Sequence, residues 1–468
     1  MADAPVGSPE WWLRRLHKRL IARREKVQVT SDYYDGVHDL KFMSKRFRQT
    51  FNGQLDAFAD NWMRIVADSP EERLNIDGFR VGEQTEADKD AWRIWQANDM
   101  DGQSQLAHLA SIVNGTAYAI VWVGDDDSTP DICVASASDA IVECHPRKNR
   151  ERRAGLRLFS DDAGYDRAEL WLPDGLHRFR TRAARPDGTS FVQAEQVQWQ
   201  PDDMDGPSVQ PNPLGVVPVV ELPNRPSIRH SKQGLFAQSD LCEVIPLQDA
   251  ANKLFADMLV ASEKQALPAR YATGLEVPVD PVTNKPIEPE VDTAKLMINE
   301  SADGSFGTFS AADLQNFTIA LDLIVQHIAS ISKTPPHYLN ASADRLSGES
   351  IKAAETGLVE KVHRKQRFFG EGWEEVMRLA GRIADVPALA QATQAEVVWA
   401  DAESRTEAQH VDAVLKQQTL GVPEEILWEK LGYSPQEIAR IKAIKAEEDL
   451  FAPVPAELTE PAVPAAGA

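Results

Sequence analysis

Ser330 and Lys333 are the two residues of this 468-residue sequence whose spacing most resembles a catalytic pair. They form an S-x-x-K pattern, in which a lysine can activate a serine nucleophile. Neither S-D-N nor K-T-G follows the pattern, and it lies inside an apolar helical repeat. We therefore interpret it as part of a packed helix.

Cysteine, histidine and aspartate supply the candidate metal ligands. Cys133 and the Cys144-His145 pair lack a C-x-x-C partner, which favours strand cysteines over a zinc site. The aspartate triplet at 125–127 suits a cation, but the following Ser-Thr-Pro lacks the EF-hand glycine and distal glutamate, so a solvated turn is favoured. The common phosphate-cradle, dinucleotide, zinc-protease and serine-hydrolase motifs are also missing. We expect no catalytic residue, no metal and no cofactor, and predict that the protein is not an enzyme.

Composition excludes several classes of protein. Asp and Glu outnumber Lys and Arg by 72 to 50, and the net charge of −22 argues against a protein that grips nucleic acid over its whole surface. Three cysteines cannot form a disulfide framework and fit a reducing compartment. The longest strand-like apolar run, 116–123, is far shorter than the ~20 residues that span a bilayer. Charges also interrupt the N-terminal region where a signal peptide needs an apolar core, so we expect a cytosolic protein without a membrane span.

Residues 11–26 predict an amphipathic basic helix with an apolar stripe at Trp12, Leu16 and Leu20 and with seven Lys or Arg against one Glu. Three interpretations remain open. The helix is a surface helix packed on its stripe, a membrane-surface helix, or a contact for a polyanion or acidic partner.

The order of helices and strands along the chain can be predicted from the spacing of its apolar residues, which changes from helical to strand-like near residue 115. Helical patterning continues to residue 114, with Phe42 and Trp62 among the expected core residues. Short strand-like runs between Asp, Gly and Pro turns then predict an antiparallel β-rich segment over 116–222.

Two helices with apolar residues at the coiled-coil period follow, on either side of a Pro-rich insert at 267–310. The stripe residues expected to pack are Leu247, Leu254 and Met258 on the first helix, and Leu314, Phe317, Leu321, Ile324, Ile328 and Ile331 on the second.

A polar stretch at 334–347 separates the second stripe helix from a long helix over 348–386. Three glycines inside this helix, Gly357, Gly370 and Gly372, predict a kink. A strand near 394–399 and short helices complete the pattern, and the Ala/Pro-rich segment after 451 predicts disorder. The predicted fold class is α+β and mainly helical.

Several stretches resemble the portal proteins, or head–tail connectors, of tailed bacteriophages of the siphophage type. They are NPLGVVPVVELPNRP (212–226), GLFAQSDLCEVIPLQDAANKLFADMLVASEKQALPARYATG (234–274), SGESIKAAETGLVEKVHRKQRFFGEGWEEVMRLAG (347–381) and VVWADAESRTEAQHVDAVLKQQTLGVPEEILWEKLGYSPQEI (397–438). The resemblance extends over about residues 30–450.

The resemblance implies a ring of subunits, twelve in the virion, at one capsid vertex. Double-stranded DNA would pass through the channel without sequence specificity, and terminase, head–tail adaptor, major capsid and scaffold proteins would be partners, with assembly in the host cytoplasm and no membrane contact. The implied parts are a wing (1–235), stem helices (236–266 and 311–333), a clip (267–310), a tunnel loop (334–347), the long kinked helix and wing return (348–400), a crown (401–450) and a disordered tail (451–468).

Two channel features are expected from this resemblance together with local chemistry. In the tunnel loop, Asn340, Ser342 and Arg345 would make transient phosphate contacts that Asp344 keeps weak, unless the loop is an ordinary helix–helix connection. The first stem helix would line the channel with acids, because residues 240–265 carry Asp240, Glu243, Asp249, Asp257 and Glu263 against Lys253 and Lys264.

Two other classes of protein compete with this interpretation. One is another virion structural or head-assembly protein, which would not require an insert between two stripe helices. The other is a DNA-processing enzyme, against which the missing P-loop argues in the case of an ATPase.

Overall fold

A computed structural model describes residues 4–42, 60–82, 88–124, 129–184, 197–204, 206–231, 234–266, 270–273, 305–308, 313–339, 348–403, 414–433 and 435–451. The helices are α1 (Pro9–Asp35), α2 (Trp62–Glu71), α3 (Lys89–Ala97), α4 (Met100–Asn114), α5 (Ile245–Ala266), α6 (Gln315–Ser332), α7 (Pro336–Leu339), α8 (Gly348–Ile383), α9 (Pro387–Ala390), α10 (Glu424–Lys430) and α11 (Pro435–Phe451). The strands are β1 (Ile76–Arg80), β2 (Thr116–Val123), β3 (Pro130–Ser136), β4 (Ala140–His145), β5 (Lys148–Ser160), β6 (Asp166–Trp171), β7 (Gly175–Thr181), β8 (Trp199–Pro201), β9 (Val209–Pro211), β10 (Val219–Pro223), β11 (Ser227–Ser231), β12 (Gly234–Phe236), β13 (Arg270–Thr273), β14 (Ser305–Thr308) and β15 (Glu396–Trp399).

The chain divides into two compact units. The first contains residues 1–31, 66–242 and 352–468, and the second contains residues 32–65 and 243–351. Helices and strands are mixed as predicted, and helices contribute the larger share of the assigned residues.

The first unit is built on antiparallel sheets that form the predicted β-rich segment. One sheet has the order β4-β5-β6-β7-β8, with β9 also paired to β7, and a second has the order β10-β2-β3. The predicted strand near residue 394 is β15, which pairs with β1 although more than 300 residues separate them.

Helix α1 packs its apolar stripe on the larger sheet of the first unit. Trp12, Leu16 and Leu20 join a core cluster with strand residues that include Leu156 and Leu170. This burial explains the spacing of the stripe, because residues three and four apart lie on one face of a helix.

Helix α8 is continuous from Gly348 to Ile383. Its stripe is buried from Leu358 to Ala380, as the sequence predicts. Gly372 has a packing role, because a Cβ there would lie 2.4 Å from Cδ2 of the buried Leu222. Gly370 likewise faces the ring of Trp399. These two glycines let strands approach the helix closely, and the predicted kink stays a prediction.

The second unit contains the two stripe helices α5 and α6, which pack against each other. Between them in the chain, β13 and β14 form an antiparallel pair with Arg270 opposite Thr308. Within this unit Trp62 is buried as expected, whereas the expectation for Phe42 is wrong. Phe42 is 70% exposed and has a positive φ of 61°, because the chain there is not helical.

Candidate functional site

The predicted stripe of α6 is buried only in part. Leu321 and Ile328 are buried, Leu314, Phe317 and Ile324 are half-buried, and Ile331 is exposed. The buried face also includes Val325, Ala329 and Ser332. Sequence reasoning missed Val325 because it followed a 3-4 step from Leu321 to Ile324 and Ile328, whereas the observed contact face keeps Leu321 and Ile328 and turns toward Val325, Ala329 and Ser332.

A second set of apolar side chains lies on the exposed side of α6. Ile319 is 67% exposed and Leu323 is 55% exposed, and Ile331 borders the same side. At 100° per residue, Ile319 and Leu321 point in nearly opposite directions. A helix that is apolar on two sides is normally buried on both.

The predicted stripe of α5 is half-buried at Leu247, Leu254 and Met258, while Leu259 on this helix is exposed. The helix buries a polar face instead. Gln248 and Asn252 are almost fully buried and are joined by a 2.9 Å hydrogen bond from Nε2 of Gln248 to Oδ1 of Asn252.

This polar face is satisfied by the segments around residues 33–38 and 60–62 of the same unit. Tyr33 donates its hydroxyl hydrogen to Oδ1 of Asp249 at 2.6 Å, and its ring stacks on His38 at 4.0 Å between centroids. Burial, and to a lesser degree this carboxylate, raise the pKa of Tyr33 above its usual value, so the phenol stays protonated as the donor. Nε2 of His38 lies 3.0 Å from Nδ2 of Asn252.

Asp240, in the first unit, is the centre of a buried ionic cluster. Its Oδ2 lies 2.8 Å from Nζ of Lys361 and 2.9 Å from Nζ of Lys365, and Nδ2 of Asn224 donates to its Oδ1 at 2.9 Å. Burial opposes ionisation of the carboxyl, but the two lysines outweigh it and hold its pKa below the usual range. Burial also lowers the pKa of Lys365 to about 8, against the attraction of Asp240.

The predicted acidic channel lining is therefore wrong for two of its five carboxylates. Asp240 and Asp249 are buried and bonded inside their own units, so neither can lie on a channel surface. Asp257 pairs with Lys253 one turn away on α5. Only Glu243 and Glu263 of the five are exposed.

The DNA-contact residues predicted for the tunnel loop, Asn340, Ser342, Asp344 and Arg345, lie outside the described residues. The first part of that segment is packed and partly helical, because α7 occupies Pro336–Leu339 and both Thr334 and Leu339 are buried. The sequence interpretation missed α7, although a proline at the first position of a helical turn is a usual signal.

The buried stripe of Trp12, Leu16 and Leu20 confirms that α1 is a packed surface helix, and at least three of its seven cations bond to side chains of the first unit. Arg15 forms two 2.9 Å hydrogen bonds with Glu143 on β4, and Arg19 pairs with the same carboxylate at 2.5 Å. Arg23 donates to the hydroxyl of Tyr118 at 2.7 Å.

The serine, lysine and cysteine residues considered above as candidate reactive groups show no catalytic arrangement in the described residues. Ser330 is exposed on α6, and Lys333 takes a positive φ of 58° at the helix end. Burial raises the pKa of Cys144 to about 11 and also raises that of Cys133, so both remain thiols.

The aspartate triplet at 125–127 lies outside the described residues. Within the described residues, no group of three His, Cys, Asp or Glu side chains could hold a metal. Nor does any helix of the described part have the length and apolarity to cross a membrane.

Comparison with known proteins gives consistent matches over most of the chain. The family of phage portal proteins described as SPP1 Gp6-like matches residues 13–449. The portal protein of Mycobacterium phage D29 is 33% identical over 405 residues, and that of Mycobacterium phage L5 is 34% identical over 406 residues; each alignment covers 82% of this chain and 78% of the relative.

Two solved structures show weaker similarity. A chain of the native gene transfer agent virion matches 82% of this chain and 87% of its own length, with 10% identity and a TM-score of 0.40. A chain of the neck of an empty gene transfer agent particle matches 77% of this chain and 88% of its own length, with 11% identity and a TM-score of 0.41.

Proposed function

Because the chain belongs to the SPP1 Gp6-like family of phage portal proteins, we propose that twelve copies form a ring at one vertex of a phage capsid. Double-stranded DNA passes through the channel of this ring during packaging and ejection, without recognition of base sequence. The ring is the head–tail connector of the virion. It binds terminase during packaging, head–tail adaptor proteins afterwards, and the major capsid and scaffold proteins while the head assembles in the host cytoplasm.

The main structural support for ring assembly is the exposed apolar side of α6. Ile319 and Leu323 expose most of their surface in a single chain, although burying a side chain of this size contributes about 1.5–3 kcal/mol. A ring needs a heterologous interface, in which two different faces of each copy meet. The exposed Leu259 on α5 supplies an apolar residue on the other stripe helix of the same unit.

The parts of the subunit follow the family pattern in this proposal. The wing comprises residues 1–235 and returns over 348–400 with the long helix. The stem helices are 236–266 and 311–333, the clip is 267–310, the tunnel loop is 334–347, and the crown is 401–450, followed by the tail. The observed pairing of β1 with β15 supports a wing that is completed by the returning chain.

Ring assembly is tested by mass photometry and negative-stain microscopy of the purified protein. Twelve copies of 51.8 kDa give a particle of about 620 kDa, which should appear as a ring with a central hole. The double variant Ile319→Asp/Leu323→Asp should remain folded, because both side chains are exposed in the single chain, but it should yield subunits instead of rings.

The control is Thr318→Asp, compared with the single variant Ile319→Asp, and it introduces one carboxylate at an exposed position beside Ile319 but off the apolar side. This control should assemble as the unmodified protein does. A protein that stays monomeric or dimeric across salt and protein concentration, or rings that survive the double variant, would contradict the proposed assembly.

A further inference from the structure

The hairpin formed by β4 and β5 concentrates positive charge in a strongly acidic chain. Five cations, Arg147, Lys148, Arg150, Arg152 and Arg153, fall within seven residues, and one acid, Glu151, lies among them. The whole chain carries a net charge of −22. This hairpin is therefore a local exception to the charge of the protein.

The hairpin tip extends beyond the sheet. Strand β5 pairs with β6 only from Gly155 to Ser160, so residues 148–154 have β4 alone as a paired neighbour. The pairing jumps from Cys144 opposite Arg152 to His145 opposite Lys148, which leaves residues 149–151 in a bulge. Bulges twist a strand and redirect its side chains.

Two of the five cations are held by the first unit itself. Arg152 donates to the carbonyl of Val217 and to Oε1 of Glu375, both at 2.7 Å. The guanidinium of Arg153 lies 5.1 Å from the ring centroid of Trp12. These contacts fix the base of the hairpin on the segment before β10, on α8 and on α1.

The other three cations are turned to solvent at the tip. The side chain of Arg150 is 95% exposed and approaches Glu371 only at 4.0 Å, and that of Lys148 is 72% exposed and lies 3.1 Å from Glu151. Arg147, in the turn, is exposed as well. Exposed pairs of this kind contribute little to stability, so these cations remain available to a stronger anionic partner.

The surroundings of the tip favour one class of partner. None of the large apolar side chains exposed in the described residues lies between 140 and 160. Protein interfaces normally have a core of aromatic or aliphatic residues. Phosphate backbones, in contrast, are bound by arginine and lysine with no apolar contribution.

From this we infer that the β4–β5 hairpin binds the phosphate backbone of double-stranded DNA, independently of base sequence, through Arg147, Lys148 and Arg150. The site goes beyond the proposed channel, because it lies on an exposed hairpin of the first unit and does not require DNA to be threaded through a ring. Its affinity should depend steeply on salt, since each neutralised phosphate releases condensed counterions.

The test uses the full-length protein and covalently closed circular plasmid DNA, which has no end to thread into a channel. Filter binding is measured between 50 and 200 mM salt for the unmodified protein and for the variant Arg147→Gln/Lys148→Gln/Arg150→Gln. The variant should bind at least ten-fold more weakly at 50 mM salt. Its slope of log K against log salt should be shallower by about 2.7 for each bound hairpin, at about 0.9 per phosphate contact.

The matched control removes three exposed cations elsewhere in the first unit, as Lys89→Gln/Arg93→Gln/Arg440→Gln. It has the same net charge as the hairpin variant and should bind DNA like the unmodified protein. Equal losses in both variants would reduce the effect to net charge and overturn the inference, as would unchanged binding by the hairpin variant. Binding of poly-glutamate, but not of DNA, through the same three side chains would also overturn it and assign an acidic protein as the partner.

Discussion

The indole Nε1 of Trp373 donates a hydrogen bond to Nε2 of His108 over 2.8 Å in the interior of the first unit. Acceptance at Nε2 requires a neutral imidazole. Burial lowers the pKa of His108 to about 3, and the ring stacks on Phe369 with 4.9 Å between centroids. A neutral histidine therefore joins α4 to the buried face of α8.

This histidine predicts a loss of stability in acid. Between pH 6.5 and about 3 the unfolded chain binds a proton at His108 that the folded chain excludes, so the free energy of unfolding decreases as the pH falls. His108→Gln keeps an acceptor for Trp373 but cannot titrate, and its stability should decrease less over this range. Urea unfolding at a series of pH values measures both profiles, and identical pH dependence in the two proteins would contradict the prediction.

The cluster around Asp240 predicts a large effect for a small change. Asp240→Asn leaves the buried Lys365 and the half-buried Lys361 without their shared carboxylate, and breaking a buried pair in this way costs about 3–5 kcal/mol. The comparison is Asp257→Asn, which removes a partly exposed pair with Lys253 on α5 and should cost less than about 1 kcal/mol. Equal changes in the free energy of unfolding, measured in urea, would show that the buried cluster is not stabilising.

The periodic apolar residues of α8 were predictable from the sequence because their burial follows from local geometry, whereas the stripes of α5 and α6 were predicted only in part. The stripe of α8 from Leu358 to Ala380 is buried as its spacing indicates. The resemblance to phage portal proteins was also correct, since the family match extends over residues 13–449. The first conclusion depends on a pattern within one helix, and the second on several sequence stretches that can be recognised without knowing how they pack.

Buried polar residues were not predictable, because their partners are distant in sequence. From the sequence, Asp240 and Asp249 were predicted to be exposed acids of the channel, but the structure pairs them with Lys365 and Tyr33, respectively. Gly372 was predicted to kink the helix, but the structure gives it a packing role, because Leu222 occupies the space where a Cβ would lie. The site residues predicted for the tunnel loop lie outside the described residues and remain predictions.

A second close approach predicts that Gly155 cannot be enlarged. A Cβ at this buried position of β5 would lie 2.5 Å from Cγ2 of Val219 and 3.0 Å from Cγ1 of Val217, both fully buried. We expect Gly155→Ala to destabilise the protein by about 1–3 kcal/mol, the usual cost of overpacking. Gly102→Ala, within α4 and with no atom within 4 Å of the new Cβ, should instead stabilise by up to about 1 kcal/mol. Thermal or urea unfolding measures both, and a neutral Gly155→Ala would contradict the packing argument.

The portal role predicts that the purified protein neither hydrolyses ATP nor cleaves DNA in the presence of magnesium. Ser330, the serine of the S-x-x-K pattern, is exposed on α6. The half-buried Cys133 and Cys144 stay protonated as thiols because their pKa values are raised. Phosphate release and plasmid integrity are measured on isolated rings and on Ser330→Ala, which should show the same background. Turnover that co-purifies with the ring and disappears with one substitution would contradict a purely structural role.

The tunnel loop provides the prediction that separates assembly from DNA movement. We expect Asn340, Ser342 and Arg345 to make brief contacts with passing phosphates while Asp344 keeps them weak by repulsion. Changing these four residues to Ala together leaves the exposed apolar side of α6 intact, so rings should still form. In an in vitro packaging reaction the rate or the packaged DNA length should fall, because the passing strand loses its polar contacts.

A quadruple control at exposed polar positions distinguishes this effect from a general loss of surface polarity. It changes Gln391, Thr393, Gln394 and Glu396 to Ala. These residues lie in and before β15, outside the loop, so packaging by the control should match that of the unmodified protein. Normal packaging by the loop variant would show that 340–347 is only a helix–helix connection. Failure of the loop variant to form rings would instead place these residues at an interface between copies, because a residue that only touches passing DNA cannot be needed before DNA is present.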